Sequence, residues 1–364
     1  MKYDANAPFE LNHPRAWRTY LGGALLDELH GRKPGADTQF PEEWIMSVIS
    51  ARNPGREAYA DEGMAYLKGE GGMTLKACLD SAPEAFLGKR HAAQYGAHPG
   101  VLVKLIDAAE RLTIQVHPDR PTARRLFHAP YGKTECWHIL GGRTINGRKP
   151  CIYLGFQEGI TRTEWERCFE AQDIEGMLAC LHCFEVTAGD TILIEAGVPH
   201  AIGAGNFLVE IQEPTDYTIR VERTTPNGLQ VADQACHQGL GFEQMFECFH
   251  YEGISREEAK RRWFISREVE MHTDQAEIAR LLGYGHTPFF AMRRIELTGT
   301  LTIPVNTFSG LYVLKGIGSL QCTASELPLR GPQQIFVPAA TGEMTFRAEE
   351  PLTVLQFFGP NLTQ

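Results

Sequence analysis

Turn-forming residues interrupt this chain so often that long regular helices are excluded from most of it. Its 364 residues include 36 Gly and 21 Pro, and the apolar residues between these breaks come in short runs. That pattern is expected of a mainly β fold with added helices. Strand candidates are Val101–Leu105, Leu112–Val116, Cys151–Leu154, Thr191–Ile194, Phe207–Ile211 and Tyr217–Val221. The pattern breaks off in a charged stretch near His250–His286. It resumes with Phe289–Leu297, Gly310–Val313, Gly318–Cys322, Gln334–Val337, Glu343–Arg347 and Leu352–Phe358. Helix candidates are Pro83–Tyr95, Thr163–Ala171, Ile174–Leu181 and Arg256–Phe264. Thr163 and Glu166 have the spacing of a capping box, in which each satisfies a free backbone amide at the helix start. The expected division is 1–250 as a first β-rich domain with helical insertions, 251–285 as a helical connection and 286–364 as a second all-β unit.

The formal net charge of −10 argues against nonspecific binding to nucleic acid, which needs a basic surface. A small anionic substrate remains compatible, because a few converging Arg and Lys side chains can hold a phosphate inside an acidic protein. Met1–Leu11 has no basic stretch ahead of an apolar run, so no signal peptide is expected. No apolar stretch reaches the ~20 residues of a membrane helix. Nine scattered cysteines fit reduced thiols and a cytoplasmic location.

Residues able to carry chemistry fall into four clusters. In Ile114-Gln115-Val116-His117, a strand puts Gln115 and His117 on one face and the aliphatics on the other. The pair offers an oxygen and a nitrogen to a metal, or sits hydrogen-bonded at a barrel rim. In Gly132-Lys133-Thr134-Glu135, Lys133 and Glu135 share a face, as a functional pair or an ordinary ion pair. In Gly197-Val198-Pro199-His200, a turn and a Pro deliver His200 to a strand start, the layout by which small β-barrels carry a histidine to the barrel mouth. In Asp216-Tyr217-Thr218-Ile219-Arg220, Asp216, Thr218 and Arg220 share one face, lining a wet pocket or a solvated surface. Together Gln115, His117, Glu135 and His200 supply two nitrogens and two oxygens, a set suited to a borderline divalent ion such as Zn²⁺.

With these four strings in order, the sequence resembles the type I mannose-6-phosphate isomerases of the cupin superfamily, in their shorter bacterial branch. The resemblance runs from about Glu42 to Arg220. It implies two cupin-type β-barrel (jelly-roll) domains, the first carrying the metal site and the second, with Gly331-Pro332-Gln333-Gln334, carrying none. It implies that Gln115, His117, Glu135 and His200 bind one zinc per chain, with cobalt, nickel and manganese able to share such ligands. It also places Lys133, Asp216 and Arg220 around the sugar as catalytic residues, with Lys104, Glu42, Trp44 and Ser47 lining the substrate pocket. Two departures stand out. The string from Val48 to Gly55 lacks the family's His-Pro-Gly-type sequence, and residue 132 is Gly where long-chain members carry a His.

The implied reaction interconverts mannose 6-phosphate and fructose 6-phosphate through an enediolate. A cation stabilises the developing charge, and Lys133 or Asp216 moves the proton. The rivals are a cupin metal oxygenase and a non-catalytic sugar-phosphate-binding cupin. Oligomeric state is left open. Cys180-Leu181-His182-Cys183 has no second pair, so buried thiols are expected. His98, His128, His138 and His182 are expected to be structural, with His98 the one to watch.

Overall fold

The computed structural model describes residues 4–53, 55–69 and 71–362. Its strands form four sheets, and every pairing between named strands is antiparallel. A six-stranded sheet runs in the order Arg15–Ala16, Glu42–Ile45, Leu102–Asp107, Asn206–Gln212, Glu135–Gly142, Thr191–Ile194. It faces a five-stranded sheet of Ile219–Arg220, Gln115–Val116, His200–Ile202, Cys151–Phe156 and Leu181–Glu185. Period-2 alternation makes the interior between them: Ile106, Trp137, Ile139 and Leu208 from one sheet meet Ile152, Leu154 and Ile202 from the other. The opposite face of the five-stranded sheet is covered by helices, where Val116 and Ile219 pack on Trp165, Phe169 and Met245.

A second barrel pairs a seven-stranded sheet with a four-stranded one. Its core joins Ile295, Val313, Ile335 and Val354 to Leu301, Leu320, Leu329 and Phe346. The two barrels stack through the outer faces of their larger sheets, with Val103, Leu105, Val209 and Ile211 against Tyr312, Phe336, Leu355 and Phe357. That shared apolar layer is why the expected division along the chain needs correcting in its elements. Phe9–Leu11 crosses over to pair with Gln333–Val337 in the seven-stranded sheet. Within 251–285 only Arg256–Trp263 is helical, while Glu268–His272 and Ala276–Leu282 are strands of the same sheet. Glu268–His272 is an edge strand, and its exposed Glu268, Glu270 and His272 hid its alternation.

Local expectations shift by a few residues. The helix Arg162–Ala171 is capped by Thr161, whose side chain accepts from the Glu164 amide, not by Thr163. The expected helix Pro83–Tyr95 is two helices, Pro83–Leu87 and Lys89–Tyr95, broken at Gly88 with φ 88°. No described helix is long and apolar enough to cross a membrane.

Candidate active site

Three strands of the five-stranded sheet align the first set of polar residues. Gln115 is the cross-strand neighbour of both His200 and Arg220. Direct neighbours point to the same face, and Val116, Ala201 and Ile219 between them pack outward, so the polar row faces the barrel interior. His117 follows just beyond the short strand Gln115–Val116, and Glu135 opens the strand Glu135–Gly142 of the facing sheet.

His117, Glu135 and His200 converge, each at most 1% exposed. His117 Nε2 lies 3.3 Å from Glu135 Oε2, His200 Nε2 lies 3.4 Å from Glu135 Oε1, and the two Nε2 atoms are 3.2 Å apart. The Nδ1 atoms face the carbonyls of Tyr217 and Val198, each at 2.8 Å. A carbonyl only accepts, so each Nδ1 bears the proton and both Nε2 lone pairs point inward. Burial, reinforced by Lys133 and His200, pulls His117 well below the usual imidazole range, and burial lowers His200 as well. Both rings are therefore neutral and able to act as ligands. Neither Glu135 oxygen has a hydrogen-bond partner. Two lone pairs facing each other beside a bare buried carboxylate lack positive charge that Lys133 Nζ, 3.1 Å from His117 Nε2 and 3.4 Å from Glu135 Oε2, only partly supplies. Spacings of 3.2–3.4 Å between these nitrogens and oxygens suit donor atoms that share one ion with bonds of about 2.0–2.1 Å. His117, Glu135 and His200 fit a divalent transition metal, and Gln115 neighbours His200 across the sheet.

A cavity of about 900 Å³ opens beside this cluster, and Gln115, Lys133, Asp216, Arg220, Lys104 and Glu42 all line it. Trp44 and Ser47 do not. The Trp44 ring is fully buried beneath two cations, Arg18 at 5.2 Å and Lys104 at 5.5 Å, and its Nε1 donates to Glu42. Ser47 follows Met46, which turns the chain with φ 44°, and its hydroxyl donates to the Ile49 carbonyl of its own loop. Gly132 has a steric reason: a Cβ there would lie 2.7 Å from the Pro118 carbonyl oxygen. His98 binds the Gly100 amide and is pulled down to about 4 by burial, away from the cavity. Cys183 is exposed rather than buried.

Sequence reading missed Arg18, Tyr20, Asn53 and Glu210, all on the cavity wall. Glu210 had a signal: it is the lone charge in the strand Asn206–Gln212, opposite Lys104, and the two pair at 2.8 Å. Arg18 had none. Burial pushes the Asp216 carboxyl up, but Arg18, then Lys104, Lys133 and Arg220, outweigh it and hold it at about 2.

No family model matches the chain. Among curated relatives, the Bacillus subtilis protein named "Putative mannose-6-phosphate isomerase YvyI" is 30% identical over 279 residues, spanning 74% of this chain and 79% of its own. The chain belongs to the mannose-6-phosphate isomerase family. The crystal structure of the mannose 6-phosphate isomerase from Bacillus subtilis superposes with a TM-score of 0.72 at 22% identity, over 96% of this chain and 99% of that one. A mannose 6-phosphate isomerase solved with zinc and yttrium superposes at 0.68 and 14% identity, over 97% and 99%. These family members share the mainly β, two-barrel cupin architecture.

Proposed function

We propose that this family member interconverts mannose 6-phosphate and fructose 6-phosphate, with a divalent metal held by His117, Glu135, His200 and Gln115. The observation that carries this reading is the pair of Glu135 oxygens without a hydrogen bond beside two inward-facing imidazole lone pairs, next to a cavity lined by Lys133 and Arg220. Bound there, the metal supplies Lewis-acid stabilisation of charge at the sugar oxygens; zinc is the ion we favour.

The chain's own residues divide the remaining work. Asp216, held at about 2 by its cations, stays ionised at neutral pH and is a weak base. It is suited to accepting hydrogen bonds from sugar hydroxyls. Lys133, at the junction of cluster and cavity, is then the side chain best placed to carry the proton between C1 and C2. Arg220 donates from Nη1 to the carbonyls of Thr218 and Ala235. Its Nε and Nη2 have no protein partner among the described residues, leaving donors for the enediolate or the phosphate. Lys104 and Glu42 act as paired wall groups, each already engaged, with Lys104 on Glu210 and Glu42 on Arg18.

Retention of the donor set speaks against a protein that merely holds sugar phosphate, and Lys133 and Arg220 at the cavity speak for an anionic sugar over dioxygen. The test is a direct assay with mannose 6-phosphate against unphosphorylated mannose. Turnover of the phosphate ester with chelator-sensitive activity is expected. Oxygen consumption, or no turnover of either sugar, contradicts the reading.

A further inference from the structure

Arg18 lies outside every string that carries the family resemblance, yet it is only 8% exposed and sits among the cavity carboxylates. Its Nε is 2.9 Å from Glu42 Oε2 and its Nη1 is 3.6 Å from Asp216 Oδ2. Nη1 also donates to Asn53 Oδ1 at 3.4 Å, and the guanidinium lies over the Trp44 ring. Each partner is braced from another side. Glu42 accepts from Tyr20 and Trp44, both at 2.8 Å, and Asp216 accepts from the Arg52 amide at 3.4 Å. The backbone of Arg18 is itself tied down, its N–H donating to the Gln39 carbonyl at 2.8 Å.

A planar guanidinium between two carboxylates fixes their separation and orientation together, which a point charge on a flexible stem does less well. The effect reaches further along the chain. Asp216 adjoins Tyr217, whose carbonyl accepts from His117 Nδ1. Fixing Asp216 therefore steadies the segment that orients His117, as partners behind a metal-binding imidazole do.

We propose that Arg18 is a positioning residue of the substrate cavity: by bridging Glu42 and Asp216 it holds Asp216 as a fixed acceptor for sugar hydroxyls and steadies residues 216–217 behind His117. The identity of the sugar rests on the isomerase reading; the coupling of Arg18 to Asp216 does not. Lys104, Lys133 and Arg220 also face Asp216, but Arg18 is the strongest of the four cations acting on it. Without Arg18, Asp216 keeps three cations and Glu42 loses its guanidinium partner.

The test uses full-length Arg18→Met, Arg18→Lys, Asp216→Asn and the double variant Arg18→Met with Asp216→Asn. The Asp216 carboxyl is titrated by carbon NMR, its signal assigned by its loss in Asp216→Asn, and kcat/KM for mannose 6-phosphate is measured against pH. In Arg18→Met the Asp216 titration is expected to rise from about 2 towards the ordinary value of about 3.9. Its kcat/KM is expected to fall by about 10–100-fold. Arg18→Lys recovers part of both, and the double variant is no worse than Asp216→Asn alone. An unmoved Asp216 titration, or fully additive losses in the double variant, overturns the proposal. If Arg18→Met does not fold, Arg18→Lys decides: it shows the same changes at smaller size, and titration and kinetics matching the wild type overturn the proposal. Should the wild type leave mannose 6-phosphate untouched, the isomerase reading falls and the NMR titration still decides the role of Arg18.

Discussion

Among the described residues lie two groups of two histidines and a glutamate, and they solve opposite problems. His117, Glu135 and His200 sit inside the first barrel; His13, His30 and Glu43 sit at the seam between the barrels. Their donor atoms are of the same kinds. At the seam, however, His13 Nδ1 lies 2.9 Å from one Glu43 oxygen and His30 Nε2 lies 2.6 Å from the other. Tyr312 of the second barrel adds a hydroxyl at 2.8 Å. Every Glu43 oxygen is thus hydrogen-bonded, whereas neither Glu135 oxygen has a hydrogen-bond partner. The seam cluster is complete with protons; the inner cluster has Lys133 Nζ beside it but no hydrogen bond to Glu135. Composition alone does not distinguish the two. The direction of the imidazole protons does, because at the inner site backbone carbonyls claim both Nδ1 atoms and turn the lone pairs inward.

The difference implies separable effects on substitution. Glu135→Gln removes the inner anion and is expected to cost the bound metal and about three orders of magnitude in kcat, checked by metal analysis beside the isomerase assay. Arg220→Lys replaces a planar fork with a point charge and is expected to lower kcat by about 100-fold while leaving metal content unchanged. A normal turnover in that variant would remove Arg220 from the reaction. Glu43→Ala strips the seam of its anion and is expected to cost on the order of 3 kcal/mol of stability in denaturant unfolding, with bound metal retained. Loss of metal from this variant would erase the contrast. Tyr312→Phe, the mildest change, is expected to cost about 1 kcal/mol and leave kcat unaltered.

The seam also has a pH signature. Burial alone would raise the Glu43 carboxyl, but hydrogen bonds from His13 and His30 outweigh it and hold it well below the carboxylate range. A carboxyl depressed in the folded state stabilises the fold above its unfolded value of about 4.3, and that contribution is lost as pH falls below it. Acid unfolding of the wild type should therefore steepen below about pH 4, and Glu43→Ala should flatten that limb.

Much of the inner site was legible in the amino-acid sequence because its residues sit in short strings on strands. Gln115, Glu135 and Arg220 are fixed by two-residue alternation and His200 by the turn and Pro ahead of its strand, and the structure brings them to one interior. Contacts between distant segments were not legible. Arg18 reaches Asp216 across a fold closed only by sheet pairing, and no local pattern announces it. Glu42 and Glu43 show the limit most clearly. They are adjacent on one strand and face opposite ways, Glu42 into the cavity and Glu43 to Tyr312 and Gln334 of the other barrel. Reading Trp44 and Ser47 as pocket residues failed for a related reason: cations cover the Trp44 ring, and a positive φ at Met46 turns Ser47 away.

The most direct measurement strips the wild-type protein with a chelator and follows mannose 6-phosphate isomerisation as Zn²⁺ is added back. A metal seated on Glu135 between His117 and His200, with the seam cluster satisfied by its own protons, predicts that activity vanishes on stripping and returns to a plateau at one ion per chain. Full activity in protein shown to be free of metal would contradict it.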